Sequence, residues 1–100
     1  MPKATSTFES ERAARYLQAM CRHFAHKVPV SYDAVTGQAE MPFGLLTMQV
    51  AGDRLRFDIE AADPSSLDRM KHVVEAHLVR FAFRERLEKL DWSEPTGAGL

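Results

Sequence analysis

The 100-residue sequence predicts a two-layer α+β sandwich, with two helices packed on one face of a sheet of three or four antiparallel strands. Two stretches predict helices, because their apolar residues recur every three or four positions. The stretch between them predicts strands, because its apolar and polar residues alternate. Each apolar surface needs another to cover it, so the helices and the sheet are expected to share one core.

Composition and charge describe a single domain without nucleic-acid or membrane chemistry. The net charge of -1 gives no general attraction to nucleic acid, and no stretch approaches the roughly 20 apolar residues of a membrane span. One cysteine cannot form an internal disulfide. We therefore expect a cytoplasmic protein with one domain over residues 10–92, a flexible N-terminus over 1–9 and a flexible tail over 93–100.

The first helix is predicted to run from Ser10 to about Lys27. Pro29 ends it, because a proline disfavours helical geometry at the residue before it. Its core-facing side is formed by residues at helical spacing: Ala13, Tyr16, Leu17, Met20, Cys21 and Phe24. Cys21 is therefore expected to be a small core residue and not a nucleophile.

Strands are predicted over residues 28–32 and 55–61. Between the first strand and the next, residues 33–37 supply a turn in which Gly37 is free to adopt a positive φ. The second of these strands has one apolar face and one charged face, and the charged face consists of Arg54, Arg56, Asp58 and Glu60.

The stretch from 39 to 50 leaves the strand count open, because its alternation changes parity at Gly44. Pro42, Phe43 and Gly44 can form a tight turn between two strands, or Gly44 can be a bulge within a single strand. A bulge gives three strands and brings the C-terminal ends of the two helices together. A turn gives four strands, antiparallel helices and separated histidines. We favour three strands.

The second helix begins with Asp63 as N-cap and Pro64 at the first helical position. Its apolar stripe is formed by Leu67, Met70, Val74, His77, Leu78 and Phe81. After about Phe83 the pattern weakens. The two-residue spacing of Leu90 and Trp92 then predicts an extended strap across the sheet.

Several short motifs occur in order along nearly the whole chain: Arg15-Tyr16-Leu17, His23-Phe24-Ala25-His26-Lys27, Gly37, Pro42-Phe43-Gly44, the strand around Leu55, His77-Leu78, Arg80-Phe81-Ala82-Phe83-Arg84-Glu85 and Trp92. On these residues the chain resembles a small bacterial family, domain of unknown function 2218. The resemblance implies a stand-alone small domain without an established activity. It also implies an association of some members with siderophore-iron handling.

The candidates for ligand binding lie on two histidine-bearing segments: His23, His26, Lys27, His77 and Arg80. His23 and His26 are three positions apart, a spacing that lets two imidazoles bind one iron or zinc ion. The competing interpretation is that these basic residues stabilise the C-terminal end of the first helix. His77 lies on the sheet-facing stripe and needs a partner, which we expect to be a backbone carbonyl, Tyr16, Glu75 or Glu85.

The leading interpretation is a binding or accessory domain for a small ligand or protein partner, linked to iron or siderophore metabolism through the histidine-containing site. One alternative is an interaction module that forms a homodimer through its charged sheet face. A second is a small enzyme with a histidine as general base, although the sequence pairs no nucleophile with such a base. The structural roles are assigned to Gly37, Pro42, Phe43, Gly44, Asp63, Pro64 and Trp92.

Overall fold

A computed structural model describes residues 2–82, 85 and 90–94. These residues form five strands and two helices: β1 (Lys3–Glu9), α1 (Ala13–Phe24), β2 (Val30–Tyr32), β3 (Thr36–Met41), β4 (Gly44–Ala51), β5 (Arg54–Glu60) and α2 (Pro64–Phe81). The predicted α+β class is confirmed. Neither of the helices in these described residues is long and apolar enough to cross a bilayer.

The five strands form one antiparallel sheet in the order β1-β5-β4-β3-β2. Both helices contact β4 and β5 and contact each other, so they cover the same sheet face. The inward-facing residues of the sheet alternate with exposed ones, as the two-residue period of a strand requires. The core holds as its largest fully buried side chains Phe57, Leu17, Met20, Leu46, Met48 and Leu55.

The segment before α1 is a strand, and the prediction of a flexible N-terminus was wrong for residues 3–9. β1 pairs with β5 along its whole length, from Lys3 opposite Glu60 to Glu9 opposite Arg54. The sequence signal is weak because two of its inward-facing positions carry only an alanine and a serine, at 4 and 6. This strand raises the total to five, above the three or four that were predicted.

The favoured bulge at Gly44 was also wrong, because Pro42 and Phe43 form a two-residue turn between β3 and β4. Met41 pairs with Gly44 directly across this turn. A side chain at Gly44 would collide with the backbone oxygen of Glu60 and would touch Met70 of α2. The glycine therefore lets the beginning of β4 lie close to both a neighbouring strand and the second helix.

Gly37 has a structural role that differs from the predicted turn. It lies within β3, opposite Met48 of β4, and a Cβ atom built on it would lie 2.5 Å from Cys21 Sγ. Among the described residues, the glycine with a positive φ is Gly52, at 61°. The turn before β3 depends instead on Asp33, whose side chain accepts hydrogen bonds from the backbone of residues 35 and 36.

The helix predictions were correct in position, but α1 is shorter than predicted. It ends at Phe24, so His26 and Lys27 lie in the turn that follows. The predicted start of α2 is confirmed, because the side chain of Asp63 accepts a hydrogen bond of 2.7 Å from the Ser66 backbone. This bond satisfies one of the N–H groups that the first helical turn leaves free.

The strap predicted at Leu90–Trp92 lies beside β1. Leu90 is buried, and Ser93 exchanges two backbone hydrogen bonds of 2.8 Å with Thr5. Ser93 was predicted to begin the flexible tail and is instead paired. The rest of that predicted tail from residue 95, together with Phe83, lies outside the described residues.

Candidate functional site

The two helices bring His23 and His77 into contact, with 4.8 Å between their ring centroids. A second contact shows the relative direction of the helices. His23, near the end of α1, meets His77, whereas Tyr16, near the start of α1, meets Glu85 beyond the end of α2. The helices are therefore antiparallel, as predicted for a turn at Gly44. The separation of the histidines that was expected with four strands does not occur. The two rings meet, as was expected with the favoured three strands, because the last turns of the longer α2 lie beside the C-terminal half of α1.

Aromatic rings surround this pair. The His23 ring meets Phe81 edge-on at a centroid distance of 5.9 Å and Phe24 at 5.8 Å, while Phe24 also lies 4.9 Å from His77. Phe24 is buried, whereas both histidines and Phe81 are partly exposed. The imidazoles therefore form a surface-accessible patch on the edge of the aromatic part of the core.

His77 finds the kind of partner that was predicted, a backbone carbonyl. Its Nδ1 lies 2.7 Å from the carbonyl oxygen of Val73, one helical turn earlier, and can only donate a proton to that oxygen. The other ring nitrogen, Nε2, accepts a hydrogen bond when the ring is neutral and donates one when it is protonated. The helix thus fixes the orientation of the ring and keeps Nε2 for another partner.

The charged groups that act on His23 are all positive. Its pKa is lowered from the usual value, first by partial removal from water and then by the charges of four neighbours: His77, Arg80, Lys27 and His26. Arg80 occupies the last turn of α2, where positive charge also stabilises the helix dipole. The other four predicted ligand-binding candidates are therefore all near enough to act on the His23 ring.

In residues 2–82, 85 and 90–94 there is no group of three or more histidine, cysteine or acidic side chains placed to hold an ion. His26 lies past the helix end, so it does not share the helix face of His23 that the predicted pair required. Binding of iron or zinc by His23 and His26 stays a prediction.

A second polar cluster, not predicted as such, ties the start of α1 to the segment after α2. Glu85 accepts hydrogen bonds from the hydroxyls of Ser10, at 2.6 Å, and Tyr16. The pKa of the Tyr16 phenol is raised, mainly by burial and then by its hydrogen bond to Glu85 and the negative charge of Glu85. The sequence signal was a tyrosine on an apolar helix face, since a buried hydroxyl needs a partner.

Cys21 and Trp92 have the structural roles that were predicted. Cys21 is fully buried, and that burial raises the pKa of its thiol to about 11. Because the thiolate is the nucleophile, both the burial and the raised pKa disfavour reaction of this thiol at neutral pH. Trp92 packs against Phe57 and donates a 2.9 Å hydrogen bond to Glu75, which holds the strap on α2.

The fold and these contacts together define a small α+β domain whose two helices bring a pair of partly exposed histidines into contact. The chain belongs to a family of uncharacterised proteins conserved in bacteria (DUF2218), whose family model matches residues 5–93. The resemblance found in the sequence is thereby confirmed. The NMR structure of PA4090 from Pseudomonas aeruginosa is similar, with 28% sequence identity, 95% of this chain and 96% of that chain covered, and a TM-score of 0.75. No curated protein matches.

Proposed function

We propose that this protein is a small binding or accessory domain that binds an anionic ligand between His23 and His77. The observation that supports the proposal is the contact of the two imidazoles, 4.8 Å apart, within a set of charges that are all positive. Like charges at this distance disfavour protonation of both rings. A bound anion removes that repulsion, so the patch gains more from a negative ligand than from any other kind.

The chemistry of binding follows from the orientation of the rings. Protonated His77 can donate from Nε2, because Nδ1 already donates to Val73. His23 lies against the same ring, and Arg80 provides a donor that stays charged at every physiological pH. Binding is therefore coupled to proton uptake at His23, whose pKa is lowered by partial burial and then by its positive neighbours, so affinity rises as the pH falls below 6.5.

The ligand class is a carboxylate- or phosphate-bearing small molecule, and the partly exposed Phe81 ring favours one with a planar apolar portion. Ferric complexes of carboxylate or catecholate chelators carry negative charge and belong to this class. The link to iron or siderophore metabolism is therefore retained as part of the proposal. Direct binding of zinc or iron by the imidazoles would be a different mode of recognition.

Histidine NMR tests the proposal, because each ring can be followed separately. We would titrate the protein with inorganic phosphate, citrate and ferric citrate, and with Zn(II) alone, while recording the imidazole Cε1–H shifts across pH. An anion is expected to move the His23 and His77 signals and to raise the pKa of His23. The exposed His72, on the same helix as His77, is the internal control and should not move.

Charge substitutions locate the site. Arg80→Gln is expected to weaken anion binding by a factor of about 2 to 5, the size of a surface charge interaction. Arg22→Gln removes the same charge from an exposed position of α1 whose charge does not act on His23, and it should leave binding unchanged. Equal effects of the two substitutions, or no shift at His23 with any anion, would contradict the proposal.

The two alternatives receive less support from the structure. On the charged sheet face, Arg54 pairs with Glu9 at 3.2 Å and Arg56 pairs with Asp58 at 3.0 Å, so these charges are compensated within one copy. A histidine-dependent enzyme would need a nucleophile beside its base, and the thiol of Cys21 is buried. Both stay predictions. Sedimentation of Arg56→Glu would test the first.

A further inference from the structure

Within residues 2–82, 85 and 90–94, one edge of the sheet has no further strand paired to it, and that edge is β2. In the strand order, β2 lies at the end opposite β1 and pairs only with β3. The other edge differs, because Ser93 pairs with β1 there. An uncovered edge strand presents backbone donors and acceptors to any chain that can pair with it.

The register shows which backbone groups of β2 are free. Pro29 accepts a hydrogen bond from Glu40 of β3, and Asp33 donates one to Thr36. In an antiparallel ladder the residues that face a given neighbour alternate. Residues 29, 31 and 33 therefore face β3, and the N–H and C=O groups of Val30 and Tyr32 point away from the sheet.

The side chains around this edge are also unusually open to solvent. Tyr32 and Val35 are 43% and 47% exposed, and they are the most exposed large apolar residues of the described part of the chain. Two shallow depressions of about 370 and 270 Å³ flank Ser31 on the outer sheet face. The edge therefore combines free backbone groups with apolar side chains that the domain itself does not cover.

We propose that a second copy of this chain pairs with the first through β2, in antiparallel orientation about a two-fold axis at Ser31. This register places Val30 of one copy opposite Tyr32 of the other. All four free N–H groups of the two edges then find a free carbonyl, and none is left over. The edge is thus complementary to itself, which is the requirement for a symmetric two-fold interface.

The charges at the ends of the strand favour the same orientation. The exposed His26 and Lys27 precede β2, and the exposed Asp33 follows it. The Asp33 carboxylate accepts two backbone hydrogen bonds, which lower its pKa and keep it ionised. Antiparallel pairing brings the basic end of one strand to the acidic end of the other, whereas parallel pairing would bring like charges together.

The axis makes a sharp prediction for Ser31, since this residue faces its own copy. Residues at such a position form a non-hydrogen-bonded pair with their Cα atoms about 4.5 Å apart. Ser31→Asp and Ser31→Lys are each expected to abolish self-association in sedimentation equilibrium. A mixture of the two variants is expected to associate again, because opposite charges then meet across the axis.

Gln49 provides the matched control. It is exposed on β4, on the same outer face as Ser31 but two strands away from the edge. Gln49→Asp and Gln49→Lys should associate as the wild type does. Thermal unfolding of every variant verifies that the fold is retained. Wild-type protein that stays monomeric at every concentration would overturn the inference. The edge strand would then be a site for an extended peptide of another protein.

A disulfide test does not depend on charge. The Cα separation expected at Ser31 suits a disulfide, so Ser31→Cys should give a covalent dimer under mild oxidation, while the buried Cys21 stays reduced. Gln49→Cys should not form such a dimer at a comparable rate. Equal rates for the two variants would overturn the two-fold register.

Discussion

Replacing Gly37 by alanine tests how closely α1 approaches the sheet. An alanine Cβ at this position would lie 2.5 Å from Cys21 Sγ, well inside van der Waals contact. Its distances to Tyr32 Cβ and Leu17 Cδ2, 3.4 and 3.7 Å, are ordinary packing distances. Of the three nearest atoms, the sulfur is therefore the obstacle, and it is fully buried.

The expected size of the effect follows from two opposing contributions. Overpacking a core by one methyl group costs about 1 to 3 kcal/mol, while replacing glycine in a strand returns about 0.5 to 1 kcal/mol. Gly37→Ala should therefore lower the free energy of unfolding by roughly 1 kcal/mol, and by no more than about 2.5 kcal/mol. For a domain of this size, each kcal/mol corresponds to a fall of about 4 to 8 °C in the melting temperature.

Cys21→Ala removes the obstacle and completes a double-mutant cycle. Alone it should cost about 1 kcal/mol, because it leaves a small void in the core. In that background, Gly37→Ala should be neutral or stabilising, since its methyl group enters the space of the missing sulfur. Chemical denaturation of the four proteins measures the coupling, which should equal the overpacking cost of about 1 to 3 kcal/mol.

Gly52 is the contrasting control. Its φ of 61° is unfavourable for alanine, yet nothing lies within 4 Å of the added Cβ atom. Gly52→Ala should therefore destabilise by backbone strain, by the same amount with or without Cys21. If Gly37→Ala costs equally in both Cys21 backgrounds, the proposed contact does not limit the packing of α1.

Three further predictions concern pH and reactivity. Partial burial raises the pKa of Glu85, but hydrogen bonds from Ser10 and Tyr16 and the charge of Arg12 outweigh it, so the pKa in the folded protein lies below the usual 4.5. The stability that Glu85 contributes is therefore lost as the pH falls through this lowered pKa. Tyr16→Phe should cost about 1 kcal/mol at neutral pH and reduce this loss in acid. Because the pKa of His23 is also lowered, stability should decline as the pH falls below 6.5. Cys21 should resist alkylation in the native protein and react on unfolding.

Each of these has a direct measurement. Melting temperatures of the wild type and the variants are compared from about pH 3 to about pH 8. This range covers the titration of carboxylates and of histidines. His23→Gln should flatten the profile near pH 6.5, whereas His72→Gln, at an exposed position, should not. An unchanged acid profile in Tyr16→Phe, or rapid native alkylation at Cys21, would contradict the corresponding account.

The elements with strong local signals were predictable. Asp63 and Pro64 marked the start of α2 because capping and a fixed φ act within one helical turn. β5 was clear because its two faces differ in polarity along the whole strand. β1 was missed for the opposite reason, since small residues at 4 and 6 face the core and the strand depends on pairing with residues far away in sequence.

The site was predictable in its residues but not in its geometry. A partner for His77 could be expected from the cost of burying an unpaired imidazole, and a carbonyl one turn away provides it. The contact with His23 could not be derived, because it depends on how far α2 extends past α1 as well as on the helix directions. The Glu85 cluster could not be predicted for the same reason, since Glu85 is 75 residues from Ser10 and 69 from Tyr16.

The pairing of Thr5 with Ser93 bears on how the chain is made. A nascent chain emerges from its N-terminus, and β1 can pair with β5 only after most of the sequence has been synthesised. The other side of β1 can pair only after Ser93 has been synthesised. Of the five strands, β1 is thus synthesised first but is among the last to be enclosed, and until then its backbone is open to other chains.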